Sequence, residues 1–350
     1  MAWRSSSRVV IILAALAYPL AHARACDVPV PPFAAKLESW RQTCPHPLCG
    51  RVHATSPNPS HDASLCSAYS WLPLSNELTA LKISGGIALL GEVHDNAEHH
   101  ALRASLLDAP SLLDPRGAIA FEQIRADQQP ALDAFAALLP ETRTTFDLLR
   151  LLDWEKSPWS KTSNYTPLFD AAVASKLPIF AADPPRDLIR AAAISGLSAI
   201  PPEERTRLGL DTPLSDAQNA ASLAEIEASH CGAIPKSAHP NMAFAQRTRD
   251  AHMADALIKA AATNGSAILI AGNGHVRADR GVPWYLHRRA PDKKVISVLF
   301  IEVEDGKNDP ADYVERDEAG KPTAGYIVFT PRAPRDKDPC DELKAKAKKD

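Results

Sequence analysis

From residue 87 onward, short apolar runs alternate with stretches of helical spacing, a pattern that predicts strands exchanging with helices. Residues 87–90 form a first apolar strand, and 97–107 follow with helical periodicity. A second strand covers 117–121, followed by a helix near 126–139. Residues 144–152 continue helically into a Trp-rich loop around Trp154 and Trp159. Helix 165–175, strand 178–182 and helix 188–195 come next. Residues 201–240 are punctuated by proline and partly helical, which reads as an insertion or lid. The longest helix is expected over 241–262, feeding strand 267–271, and strands 295–303 and 326–330 complete the sheet. Strands separated by helices predict an α/β fold: a mostly parallel sheet covered by helices on both faces, spanning residues 81–330. No solenoid repeat is present.

The ends of the chain read differently. Arg4 and Arg8, the apolar run 9–20 and Ala21-His22-Ala23 have the layout of a signal peptide over residues 1–23. Cleavage after Ala25 would instead leave Cys26 first, but Ala23 and Arg24 do not supply the residues that lipid attachment to Cys26 requires. Export to the periplasm or beyond, without a lipid anchor, is therefore expected. No later stretch is apolar enough to span a bilayer. Six cysteines in an exported chain read first as disulfides. Four of them fall in the Cys- and Pro-rich segment 24–80, which is expected to bury little apolar surface and to depend on crosslinks. A metal site from Cys44, Cys49, His46 and His61 is disfavoured because thiols are oxidised in that compartment. Residues 331–350 are rich in proline and lysine and are expected to be a disordered tail. Hydrophobic residues make up 45% of the chain, enough for a substantial core, and the net charge of −3 argues against a nucleic-acid partner.

In an open parallel sheet, ligands bind beyond the carboxyl ends of the strands. Here those ends carry Gly91-Glu92-Val93-His94-Asp95-Asn96, Glu122-Gln123, Asp183-Pro184-Pro185-Arg186 and Gly272-Asn273-Gly274-His275. A loop that only needs solvation uses Ser, Asn, Gly or Asp, whereas these turns bring glutamate, arginine and histidine to one rim. Each residue also has a plain reading. His94 alone is an ordinary loop histidine, but Glu122 at the end of a buried strand needs a partner. Glu92 and His94, two apart, share a side of an extended turn. His99 and His100 sit in a helix, one expected toward the cleft and one toward solvent. Gln246, Arg249, Asp250 and Met253 share a helix face, either a salt-bridged side or a cleft wall. Gly272 and Gly274 allow close backbone approach to a ligand. Dinucleotide, P-loop, His-Glu-x-x-His, Gly-x-Ser-x-Gly and Cys-x-x-Cys-His signatures are all absent from the sequence.

In order along the chain, Gly91-Glu92-Val93-His94-Asp95-Asn96, Phe121-Glu122-Gln123, Tyr165-x-Pro167, the 246–253 run with Arg249-Asp250, and Gly272-Asn273-Gly274-His275-Val276 followed by Gly281-Val282-Pro283 resemble the ChaN-like haem-binding uptake proteins. Those proteins belong with the Tiki proteases and erythromycin esterases. The resemblance implies haem held between two protomers by a tyrosine, in connection with an outer-membrane haem-uptake machinery. Tyr165 and Tyr285 are the candidate tyrosines. Arg186, Arg249, Asp250 and Arg277 are the expected cofactor contacts, with Trp154, Trp159 and Trp284 as apolar cover. The Tiki side of the resemblance implies instead a divalent metal such as zinc or manganese on His94, His275 and Glu92. Without a metal, the catalytic set would be Glu92, His94, Glu122 and His275, with His94 as general base. A site that has lost activity and only binds is the third reading. The sequence departs from the family in lacking a convincing lipid-attachment motif and in carrying the Cys-rich stretch 44–66.

Overall fold

The computed structural model describes residues 30–56, 70–107, 117–161, 164–338, 340–341 and 343–344. The expected leader, Cys26, His61 and Cys66 lie outside the described residues. In chain order the elements are α1 (Pro32–Thr43), β1 (Val52–Ala54), α2 (Leu72–Ser84), β2 (Ile87–Leu90), α3 (Ala97–Leu107), β3 (Ala118–Arg125), α4 (Gln129–Ala136), α5 (Thr145–Leu151), α6 (Thr166–Ala174), β4 (Ile179–Asp183), α7 (Arg186–Ser195), α8 (Pro202–Leu208), α9 (Asp216–Ser229), α10 (His239–Asn264), β5 (Ala267–Ile270), α11 (Val282–Arg289), β6 (Val295–Glu302) and β7 (Tyr326–Thr330).

The strands form one seven-stranded sheet in the order β1-β7-β6-β2-β5-β3-β4. Every pairing is parallel except β1 with β7. The fold is the α/β class expected. All four residues of β2 are buried, so its apolar run faces helices on both sides rather than alternating toward water. Register decides what the carboxyl edge presents. Leu90 lies level with Ile270, and Ile270 with Phe121, so Gly91, Ala271 and Glu122 come out of the sheet side by side. β3 runs on to Arg125, four residues past the expected end, which puts Glu122 and Gln123 inside the strand. Its pairing with β4 shifts register between Phe121 and Arg125, a local irregularity of the kind that re-aims side chains at a sheet edge.

Three expectations change. The helix expected near 126–139 is a short 3-10 turn followed by α4, because Pro130 can only sit in a first helical turn. Segment 24–80 is not an appendage held by crosslinks: α1 buries Phe33, Leu37 and Trp40 in the main core, and β1 extends the sheet. Two of the disulfides expected there and elsewhere are Cys44–Cys49 and Cys231–Cys340. The start of the tail is tied down rather than disordered, since Arg335 donates to Asp95 at 2.5 and 2.6 Å and to Glu302 at 2.8 and 3.0 Å. Among the described residues, no helix is long and apolar enough to cross a membrane.

Candidate functional site

The two Gly-x-x-His turns are locked together before any side-chain chemistry begins. The Asn273 N–H donates to the Glu92 carbonyl at 2.9 Å, and the Asn273 amide both donates to and accepts from the backbone of Phe300. A Cβ on Gly272 would fall 2.6 Å from His94 Nε2, so only glycine lets the second turn approach the first histidine.

Glu92 leaves β2 pointing inward and is 2% exposed. Its Oε1 accepts from His94 Nδ1 at 2.6 Å, Tyr165 Oη at 2.7 Å and Gln123 Nε2 at 3.0 Å. Its Oε2 faces the Arg103 guanidinium, which is fully buried, and His100 Nε2 at 3.3 Å. A buried carboxylate persists only when paired this thoroughly. With Nδ1–H given to Glu92, His94 Nε2 carries the lone pair, beside Gly272 and 3.8 Å from Glu122 Oε1. Burial lowers the pKa of His94, outweighing the pull of Glu122, so the ring is neutral at pH 7. His94 is the accessible member of the group, its side chain 35% exposed, with the Trp159 ring 4.8 Å away.

A second charged group is built around Glu122. Its Oε2 accepts the Gly272 N–H at 2.6 Å, and its Oε1 faces Arg249 Nη2 at 2.7 Å, His275 Nε2 at 3.4 Å and His94 Nε2 at 3.8 Å. Burial would raise this carboxyl, but the His275 imidazolium and Arg249 overcome that and hold it well below the usual range. The other ring nitrogen of His275 bonds Asp250 Oδ1 at 2.7 Å. Burial opposes the charge on His275, yet the carboxylates Glu122 and Asp250 raise it to about 10, so it is an imidazolium. Burial pushes Asp250 up to about 6 against the pull of His275, which leaves both partners charged at pH 7. Arg249 also holds Asp183 at 2.7 Å, joining the ends of β3 and β4 through α10.

These groups open onto a cleft of about 380 Å³ lined by Glu92, His94, Gly272 and His275 from the turns, by Gln246, Arg247, Arg249 and Asp250 from α10, and by Ser222, Glu225 and Ile226 from α9. Glu92, His94, Glu122 and His275, from three separate strand ends, are therefore brought together. Several other expectations fail. Tyr165 and Tyr285 are each 1% exposed, with their hydroxyls bonded to Glu92 and to Arg247, and burial raises both phenols, Tyr285 to about 12. Neither presents a phenolate to a ligand. Arg186 is exposed at the start of α7 and does not line the cleft, and Arg277 is spent on Asp279 and Glu315. Arg249 and Asp250 do reach the cleft, but as fixed members of ion pairs. His99 and His100 are both fully buried: His99 bonds Thr330 and the Val93 N–H, and burial drives it to about 3. Met253 packs in the core.

The metal set Glu92, His94 and His275 does not fit. Glu92 has both oxygens occupied, and a carboxylate on each nitrogen of His275 leaves it no lone pair to donate. Among the described residues no group of three histidine, cysteine or acidic side chains could hold an ion. Sequence reading missed Arg103, Glu225 and Arg280. Arg103 had a signal, since it falls four residues after His99 on the buried face of α3.

The comparisons with known proteins agree with the architecture. The chain resembles a solved ChaN of Campylobacter jejuni, described as binding heme cofacially, with a TM-score of 0.54 and 20% identity over 74% of this chain and 91% of that one. At that identity the likeness speaks for the fold. Weaker likenesses, which carry no argument, are to an erythromycin esterase, EreC, in its open conformation (TM-score 0.38, 14% identity, 76% and 95% of the two chains) and to the type III effector HopBA1 (TM-score 0.36, 12% identity, 75% and 94%). No curated protein matches the chain. The profile of the family described as haem-binding uptake, Tiki superfamily, ChaN matches residues 84–286, which contain both turns, Arg103 and α10. The chain belongs to that family.

Proposed function

We propose that this is an exported haem-binding protein that takes part in haem uptake, with His94 rather than a tyrosine as the group offered to the iron. The observation that carries the reading is the state of His94. It is a neutral imidazole whose Nδ1–H is fixed by Glu92, whose Nε2 is the unprotonated nitrogen, and whose ring lines the cleft. A carboxylate on the far nitrogen is the usual way a protein orients a metal-ligating histidine and raises its donor strength. The Trp159 ring beside His94 offers an apolar wall, and Arg247 at the rim is a cation within reach of a ligand's carboxylate. Bound haem would supply the iron and the broad apolar face, while this chain supplies the oriented nitrogen and the charged rim. A second copy of the chain covering the open face, and an outer-membrane haem-uptake system as the source of haem, complete the proposal. The disulfides are consistent with an oxidising compartment. The test is a hemin titration of the mature protein followed at the Soret band. A saturable shift is expected, retained in Tyr165→Phe and Tyr285→Phe. A titration indistinguishable from free hemin would overturn the reading.

One observation favours a second reading, hydrolysis without a metal. The Glu92–His94 pair, with neutral His94 aimed at a polar cleft, has the form of a general base and its orienting carboxylate. Water would give its proton to Nε2 as its oxygen attacks a carbonyl carbon, and Glu92 would steady the resulting imidazolium. His94→Ala should then lower ester or amide hydrolysis by roughly 10²- to 10⁴-fold. Undetectable turnover of a broad ester and peptide panel by the wild-type protein would remove this reading.

A further inference from the structure

The helix that closes the cleft is weakly seated on its own account. Within α9 only Ile226 is buried, although Ser222, Glu225, Ile226 and Ser229 line the cleft. It packs on α10, and its polar ties to the rest of the fold are few. Arg280 holds Glu225 at 2.7 Å, and the Gln218 side chain donates to the Asp279 carbonyl. Past its C-terminal end, Cys231 and Gly232 both take left-handed conformations, with φ of 54° and 71°. For a cysteine that conformation is uphill and persists only where the surroundings impose it.

The turn is closed locally, with the Gly232 N–H on the Glu227 carbonyl and the Cys231 N–H on the Ala228 carbonyl, and it presents Cys231 to the C-terminal tail. Cys340 is bonded to Cys231 across a sequence separation of 109 residues. Shortly before it, Arg335 forks onto Asp95 and Glu302, and Glu302 also accepts from Asn96 Nδ2 at 2.8 Å. Asp95 and Asn96 directly follow His94. One short piece of chain is thus pinned by charge to the turn that carries His94 and by a covalent bond to the helix facing it.

We infer that Arg335 and Cys340 act together as a strap that sets the opening of the cleft: the Cys231–Cys340 disulfide holds α9 shut over His94, and Arg335 anchors the tail to the opposite wall. Release is a thiol–disulfide exchange. A dithiol supplies two electrons and two protons, the S–S bond breaks to give the Cys231 and Cys340 thiols, and the dithiol becomes a disulfide. The inference concerns access to the cleft and holds whether the occupant is haem or a hydrolysable substrate.

The test reads His94 directly. The full mature protein is treated with diethyl pyrocarbonate, and the modification rate of the peptide carrying His94 is followed by mass spectrometry, alongside amide hydrogen exchange across residues 216–229. Cys340→Ser is expected to raise the His94 rate roughly threefold or more and to accelerate exchange in α9 by a similar factor, as a locally unlatched segment should. Arg335→Ala is expected to give a smaller increase. Removing the Cys44–Cys49 disulfide with Cys44→Ser/Cys49→Ser leaves both readouts unchanged. Should Cys340→Ser fold poorly, dithiothreitol added to folded Cys26→Ser/Cys44→Ser/Cys49→Ser/Cys66→Ser protein makes the same cut. Wild-type rates after either treatment, or free thiols at Cys231 and Cys340 in the purified wild-type protein, would overturn the inference.

Discussion

Arg103 gives the sharpest handle on the site because it lies beneath it, touches no solvent and supports Glu92 from behind. Arg103→Leu keeps much of the buried volume while removing the charge, the pairing with Glu92 and the 3.3 Å bonds to the Leu90 and His99 carbonyls. Breaking a buried pair by deleting one partner typically costs about 3–5 kcal/mol, because the remaining charge is stranded. That is about a fifth or more of the roughly 5–15 kcal/mol available to a domain. The penalty belongs to the Glu92 anion, so it should shrink as pH falls and the stranded carboxylate takes up a proton. Urea denaturation at pH 5 and pH 8 is the assay, with the larger loss at pH 8. A second substitution separates charge from packing. Glu92→Gln alone strands Arg103, whereas Arg103→Leu/Glu92→Gln strands neither, so the double variant should be about 2 kcal/mol or more better than the sum of the singles. Additive losses, or an Arg103→Leu loss that ignores pH, would refute the view that Glu92 is an ion held by Arg103.

His275, with a folded pKa raised to about 10, should appear as an imidazolium at pH 8 in heteronuclear NMR. Its contribution to stability is fully present below the unfolded value of about 6.5 and is lost as pH rises through about 10, so denaturation midpoints should fall on the alkaline side; a neutral ring at pH 7 contradicts this. Gly272→Ala places a methyl 2.6 Å from His94 Nε2 and should cost about 1–3 kcal/mol while displacing the His94 resonances, which an unchanged histidine spectrum would disprove. Trp40→Ala removes a side chain only 5% exposed and should destabilise the whole domain by about 3–5 kcal/mol in a single urea transition. A separate early transition would mean that α1 is an appendage after all.

The sheet was readable because its central strands are bounded apolar runs too short for helices. β2 and β5 begin where expected, and the rim chemistry followed from the rule about strand carboxyl ends. β1 was not readable: Val52-His53-Ala54 has no periodicity to count and is a strand only because β7 presents an open edge. The same limit hid the role of the N-terminal segment, whose spaced prolines mask the buried face of α1. The convergence of Glu92, His94, Glu122 and His275 was legible, but the direction of each side chain was not. Whether a tyrosine near a site faces ligand or core depends on packing, and Tyr165 turns inward to hydrogen-bond Glu92. The tail misled through composition, which cannot reveal that one arginine would meet two carboxylates and one cysteine its partner.

The central claim is that Glu92 and the second Gly-x-x-His turn present His94 Nε2 as the working group of the cleft. The most direct measurement is hemin affinity of the wild-type protein against His94→Ala, with circular dichroism confirming that both are folded. The account predicts a loss of roughly tenfold or more, about 1.4 kcal/mol, together with a changed Soret maximum in the variant. Equal affinity and an identical Soret band would contradict it.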